Sequence, residues 1–377
     1  MPHFVIQGPS QTMKLKKPDY LLLSITAILM FFGLVMINSS GIVFSLERFG
    51  EPYFFLRRQF ISLCVGLTLA YIAYKLDYKI WKKLAPWLIL TNLILLALVF
   101  VPPLGYGPGD TKRWLNLGFA SIQPSEFLKL SVIIYLSALW GKESTKKEET
   151  QESLNKFTTL ISLLAIIGLF LIKQPDMGTF GIIVLMGISI FFLSGAKIQY
   201  IVLLGAGGII SFFLLLKTAS YRVNRWITFL HPEIDPQGIG YQINQALLAL
   251  GSGGLFGLGL SQSRQKYNFL PEPITDSITA IIGEELGYIG LLFLIFLFVA
   301  LIMRALKISK NAPDNFAQIL AGGIIIMISV QTFIHLGAVS GMLPMTGVPL
   351  PFISYGGSAL IVNLIGIGLL LNISKYT

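Results

Sequence analysis

Four groups of residues could do chemistry, and most of them stand where charge is expensive. Glu126 and Lys129 lie in Gln123-Pro-Ser-Glu-Phe-Leu-Lys129 at the head of an apolar run. Three positions apart on a helix, they share a face and can pair. A lone charge at mid-bilayer costs about 2.5–3.5 kcal/mol even on the insertion scale. An acid and a base kept there either neutralise each other while pinning neighbouring helices, or serve a site. Asp276 closes Pro271-Glu-Pro-Ile-Thr-Asp276 and opens another apolar run. A carboxylate there caps a helix start, where exposed N–H groups favour an anion, or acts as a general base at a water-facing rim. Glu284 and Glu285 follow, about 12–13 Å further down that helix. They read as structural acids bonded to polar groups of adjacent spans such as Gln331 or His335. Arg113, Arg222 and Arg225 flank spans. They are either solvated loop charges or planar forks that match phosphate oxygens. The glycines between 251 and 259 could add backbone N–H groups for phosphate, although no strand–turn–helix pattern surrounds them.

The elements that position these residues must live in lipid. Of the 377 residues, 54% are hydrophobic and only 12% charged, and the mean hydropathy is +0.74. That balance lies far from that of soluble domains. Alternating apolar and polar segments of about ten residues, the mark of a transmembrane barrel, are missing, so helices must satisfy the backbone. The expected fold is an all-α integral membrane protein with about ten transmembrane helices. The spans fall at roughly 20–40, 58–75, 84–102, 122–140, 157–173, 177–195, 198–217, 276–304, 316–341 and 352–373. Residues 1–17 form a cytoplasmic tail, in which Ile6-Gln-Gly-Pro9 reads equally as a cloning remnant or native sequence. Residues 18–377 form a single membrane domain. The lone Cys64 excludes an internal disulfide.

The formal charge of +10 does not point to nucleic acid, because the basic residues stand in short clusters between apolar spans. With both termini in the cytoplasm, sixteen basic residues, among them Lys75–Lys83 and Arg304–Lys310, face inward. Six, including Arg57, Arg58 and Arg113, occupy the short outer loops. That asymmetry sets the orientation.

Two outer segments are too irregular to be hairpins. Residues 218–275, between spans seven and eight, contain an apolar stretch, Tyr241–Leu250, too short to span and therefore re-entrant or interfacial. Residues 341–358 carry three prolines and four glycines within hydrophobic sequence. Non-helical backbone at that depth must be buried in protein or line a wet cavity. Both segments point to one outward-facing cavity.

The motifs Lys112-Arg-Trp-Leu-Asn-Leu-Gly118, Gln123–Lys129, Gln174-Pro-Asp-Met-Gly178, Tyr221–Gln245, Leu270–Asp276, Gly283-Glu-Glu-Leu-Gly287 and Pro349–Ser358 occur in this order. Together they closely resemble the shape, elongation, division and sporulation (SEDS) family, which includes FtsW and RodA. The segment before Leu270 leans to the FtsW-like division type, whereas Met345-Thr-Gly-Val348 leans the other way. The chain departs from the family pattern at Pro273-Ile274 and Ser277, around the acid.

The resemblance implies a peptidoglycan glycosyltransferase that polymerises lipid II outside the bacterial cytoplasmic membrane during cell division or elongation. A class B penicillin-binding protein would supply the crosslinking, alongside other division or elongation proteins and membrane lipids, and no nucleic acid is involved. The family's catalytic acid falls on Asp276, and its paired acid and base on Glu126 and Lys129. Arg113, Arg222 and Arg225 are then candidate phosphate contacts. A divalent cation, Mg or Mn, could share that task, although no ligand cluster in the sequence demands one. Two other functions use the same cavity and charges: a lipid II flippase, and a non-catalytic scaffold for a penicillin-binding protein.

Overall fold

Each apolar run of the sequence becomes a helix, and where each helix stops is decided by local caps. The computed structural model describes residues 16–107, 111–118, 121–141, 149–216, 220–232, 234–235, 237–238 and 240–377. Helix α1 (Tyr20–Phe49) starts where the Asp19 carboxylate accepts from the Leu22 N–H and ends at left-handed Gly50. It runs nine residues past the expected end at 40, through Ser39-Ser40-Gly41. Polar residues continue a membrane helix when its own backbone takes their hydroxyls, and the Ser40 hydroxyl donates to the Met36 carbonyl at 2.7 Å.

Helices α2 (Phe54–Lys75), α3 (Tyr78–Leu98), α4 (Pro124–Trp140), α5 (Glu149–Lys173), α6 (Met177–Leu193) and α7 (Ile198–Leu216) follow. Two shorter helices, α8 (Ser220–Leu230) and α9 (Tyr241–Ser252), occupy the long loop, α9 where the short apolar stretch predicts one. Helices α10 (Ile278–Lys310), α11 (Asn315–Val339) and α12 (Gly357–Ser374) complete the bundle. Ten of these helices overlap the ten expected spans, with ends displaced by up to nine residues, and among the described residues seven are long and apolar enough to cross a membrane. The protein is a helical integral membrane protein. No strand is expected from the residue pattern, yet the α3–α4 connection forms a small antiparallel sheet of β1 (Gly105–Tyr106), β2 (Trp114–Asn116) and β3 (Ser121–Ile122), in that order. Strands of two or three residues are too short for an alternating pattern to register.

The Lys16 N–H donates to the Lys375 carbonyl at 2.9 Å, and Arg304 Nε donates to the Asp19 carboxylate at 2.6 Å. The two ends of the described chain and the C-terminal part of α10 therefore share one end of the bundle. The starts of α4, α10 and α12 lie at the other.

Helix α10 is broken in its third turn. Gly287 has φ 67° and ψ −167°, a combination open in practice only to glycine. The Glu284 and Glu285 carbonyls accept from the Leu258 and Gly259 N–H groups at 2.9 and 3.0 Å, while the Tyr288 N–H donates to the Gly254 carbonyl at 2.9 Å. The glycine loop after α9 is thus bonded into the gap in α10. A Cβ on Gly287 would stand 2.3 Å from the Gly257 nitrogen. Gly287→Ala is expected to destabilise the protein by about 3 kcal/mol or more, from backbone strain plus this clash. A thermal melt in detergent checks it, with Gly205→Ala, where nothing lies within 4 Å, as the neutral control.

Candidate active site

The head of α4 gathers three of the sequence motifs. Pro124 occupies the first helical turn, where its missing N–H costs nothing. The Gln123 N–H just before it donates to the Ser358 hydroxyl at the start of α12, at 3.0 Å. The Ser125 hydroxyl donates to Asp176 Oδ2 at 3.1 Å, and Asp176 Oδ1 caps α6 by accepting from the Thr179 N–H at 3.4 Å. Arg113 donates from Nε to the Gln174 carbonyl at 3.1 Å and from Nη2 to the Pro175 carbonyl. Two of its N–H groups therefore hold the α5–α6 connection against the sheet that leads into α4.

One residue beyond Ser125, Glu126 pairs with Lys129 as their spacing predicts. Lys129 Nζ donates to Oε1 at 2.9 Å and lies 2.8 Å from Oε2. Both residues are buried, at 3% and 1% exposure, so this is a desolvated pair rather than a surface one. Glu126 Oε2 has no hydrogen bond of its own among the described residues. Its contact with the ammonium is an ion-pair distance with poor directional geometry.

Asp276 is half-buried and precedes α10, which begins at Ile278 with Ser277 as its cap residue. The carboxylate is thus one position outside the expected cap. Ser277, one of the departures from the family pattern, accepts from Gln242 Nε2 of α9 at 3.2 Å, so the long loop reaches the residue beside the acid. Around Asp276 lies the Pro/Gly segment 341–356, which is non-helical over 344–356, as its composition predicts. It forms a strap. The Tyr355 N–H donates to the Ile274 carbonyl at 2.8 Å. The Ser354 hydroxyl donates to the Thr275 carbonyl at 2.8 Å and accepts from the Leu350 N–H at 2.9 Å. At Gly347, a Cβ would stand 3.4 Å from Asp276 Oδ2, and at Gly178 one would stand 2.7 Å from the Thr346 carbonyl oxygen. Neighbouring residues of the strap therefore touch Asp276 on one side and the start of α6 on the other, where Asp176 binds Ser125.

The inner acids are structural, as expected, but their partners are not the ones named. Glu284 accepts from the Ser263 hydroxyl and from the Arg264 N–H at 2.9 Å. Glu285 accepts from the Ser39 hydroxyl of α1 at 2.6 Å and pairs with Lys266 at 3.1 Å. Their partners are the loop and α1, not Gln331 or His335. The Gln331 amide has no hydrogen-bond partner among the described residues, and His335 bonds to Val348 and Thr279. The glycine-loop N–H groups of Leu258 and Gly259 are bonded to α10 and so are not a phosphate cradle. Because Lys266 and Glu285 are both buried, Lys266→Met is expected to cost about 3–5 kcal/mol by stranding a carboxylate. Adding Glu285→Gln should recover most of that loss in a thermal melt.

Arg222 and Arg225 lie on α8, but their side chains fall outside the described residues. Among the described residues, no group of three or more His, Cys, Asp or Glu side chains could hold a metal ion. Sequence reasoning missed His335, Thr279, Ser354 and Lys266 as the groups that fix the strap and loop around the acids. The signal for His335 was present, since an ionisable ring inside a span demands a partner.

A family model described as "Cell cycle protein", covering FtsW, RodA and SpoVE, matches residues 19–377. The chain belongs to the FtsW/RodA/SpoVE family. It is 40% identical over 367 residues to stage V sporulation protein E of Bacillus subtilis, covering 97% of this chain and 99% of that one. It is 38% identical over 363 residues to a probable peptidoglycan glycosyltransferase FtsW of Trichlorobacter lovleyi, covering 96% and 94%. In fold it matches a chain from a structure entitled "Structural coordination of polymerization and crosslinking by a peptidoglycan synthase complex", with a TM-score of 0.77, 25% identity and coverage of 95% and 98%. The rod shape determining protein RodA of Thermus thermophilus shares the fold, with a TM-score of 0.69 and coverage of 95% and 97%. Both the order of the FtsW/RodA/SpoVE motifs and their convergence at one end of the bundle are thus accounted for.

Proposed function

We propose that this protein is a peptidoglycan glycosyltransferase that polymerises lipid II on the outer face of the bacterial cytoplasmic membrane, in division or elongation. The observation that carries the reading is the strap, which touches Asp276 on one side and, on the other, the elements that hold the buried Glu126–Lys129 pair. Relatives bearing the glycosyltransferase name match nearly the whole chain, so the reading extends to all of it.

The chemistry joins a sugar 4-hydroxyl to an anomeric carbon that carries polyprenyl pyrophosphate. Asp276 accepts the hydroxyl proton as the oxygen attacks the anomeric carbon, and the bond from that carbon to the pyrophosphate oxygen breaks. Polyprenyl pyrophosphate leaves with the bonding pair, and Asp276 later returns its proton to water. Lys129 orients Asp276 or meets phosphate charge, with Glu126 holding Lys129 in place. Arg222 and Arg225 serve as phosphate contacts, and Arg113, whose Nε and Nη2 hold the α5–α6 connection, has only its remaining N–H groups to offer. A Mg or Mn ion could share the charge of the pyrophosphate, and no step depends on it.

The sidedness of this account comes from the positive-inside bias, which puts both termini in the cytoplasm and the site outside. The lipid tails would lie against the apolar faces of the spans, which gives a sugar polymerase reason to be built of membrane helices. A class B penicillin-binding protein is the crosslinking partner. The reading is tested by supplying lipid II to the purified protein with that partner. Long glycan strands are expected. Unchanged or merely translocated lipid II would contradict it in favour of a scaffold or a flippase.

A further inference from the structure

Two bridges clamp the strap to the residues around Asp276. One runs through Ser354 and Tyr355 to the carbonyls just before the acid. The other runs through a single buried ring on α11. His335, 2% exposed, places Nδ1 2.8 Å from the Val348 carbonyl oxygen and Nε2 2.9 Å from the Thr279 hydroxyl. Thr279 follows Asp276 by three residues, in the first turn of α10, and Val348 adjoins the Gly347 that faces the Asp276 carboxylate.

The hydrogen-bond roles are fixed by chemistry. A carbonyl only accepts, so Nδ1 carries the proton. In the neutral ring Nε2 is then an acceptor, filled by the hydroxyl proton of Thr279. A second ring proton would place a net charge out of water against partners that are a carbonyl and a hydroxyl. Both ring nitrogens are therefore satisfied, and the planar ring sets one separation between Val348 and Thr279. We propose that His335, acting with Thr279, is a positioning residue for glycosyl transfer: it fixes the distance between the Gly347 backbone and the Asp276 carboxylate. The inference rests on the reading of Asp276 as the base. It gives a reason for a histidine inside a span and for a threonine in the first turn of α10.

The test uses the full chain with its penicillin-binding partner and lipid II. Thr279→Val keeps the shape and deletes the hydroxyl, Thr279→Ser keeps the hydroxyl, and His335→Asn removes one end of the bridge. Thr279→Val and His335→Asn should each lower kcat by about 10–100-fold, the scale expected when a reacting group is slightly misplaced. KM should stay within about twofold, as for a group that acts only on the chemical step. Thr279→Ser should restore kcat, and the Thr279→Val/His335→Asn pair should be no slower than either single change, because both cut one link. Wild-type kcat in Thr279→Val would overturn the proposal. So would a Thr279→Ser protein as slow as Thr279→Val with an equally lowered melting temperature, which would make the bridge merely structural. If His335→Asn fails to fold, the two threonine variants decide. Asp276→Asn measured alongside separates the two ideas. If it is inactive while Thr279→Val is normal, only the bridge fails; if it polymerises normally, the base assignment fails and the bridge with it.

Discussion

Asp276→Asn is expected to polymerise lipid II about 10²–10⁴-fold more slowly than the wild-type chain, the usual worth of a positioned general base. Asparagine keeps the size of the side chain and can cap a helix start as well as aspartate can. A structural role near the start of α10 would therefore survive the change, whereas proton acceptance would not. The loss should fall on kcat with KM little altered, because the proton moves only in the transition state. The melting temperature should hold, since the residue is only half-buried and the Ser354 and His335 bridges around it remain. Strand synthesis by Asp276→Asn at the wild-type rate would remove Asp276 from the mechanism.

The second large effect concerns the buried pair. Lys129 is 1% exposed, and Lys129→Met strands the Glu126 carboxylate away from water. Breaking such a pair costs about 3–5 kcal/mol, whereas neutralising both members is often close to harmless. Glu126→Gln/Lys129→Met is accordingly expected to regain most of the stability lost by Lys129→Met alone in a thermal melt. Polymerisation should stay off, because the positive charge that meets Asp276 or phosphate has gone. A double variant that melted and polymerised like wild type would reduce the pair to a pin between helices, which is the structural alternative that the three-residue spacing allows.

The parts of the fold that depend on local sequence are legible in the residues themselves. Apolar runs bounded by charge located every long helix, and the i, i+3 spacing of Glu126 and Lys129 gave their contact. Three prolines and four glycines in 341–358 marked the strap as non-helical. What escaped were relations between distant residues. Glu284 and Glu285 call for partners, but nothing local says that those partners are Ser263, Arg264 and Lys266 of a loop some twenty residues earlier. Arg113 looked like a free fork for phosphate, yet two of its N–H groups bind the carbonyls of Gln174 and Pro175. Helix α1 runs nine residues past the expected end at 40, and the Ser39 and Ser40 hydroxyls near that point are taken by Glu285 and a helix carbonyl. His335 was readable as expensive but not as a bridge, since Val348 and Thr279 come together only in the folded bundle.

Mapping the contacts of lipid II that carries a photoreactive group on its sugar tests the account at its centre. After irradiation with the full-length protein and its partner, mass spectrometry should find adducts both at the head of α4, within 123–129, and around Asp276, within 274–279 or 345–350. Adducts confined to the end that holds the termini, within 75–83 or 304–310, would contradict it.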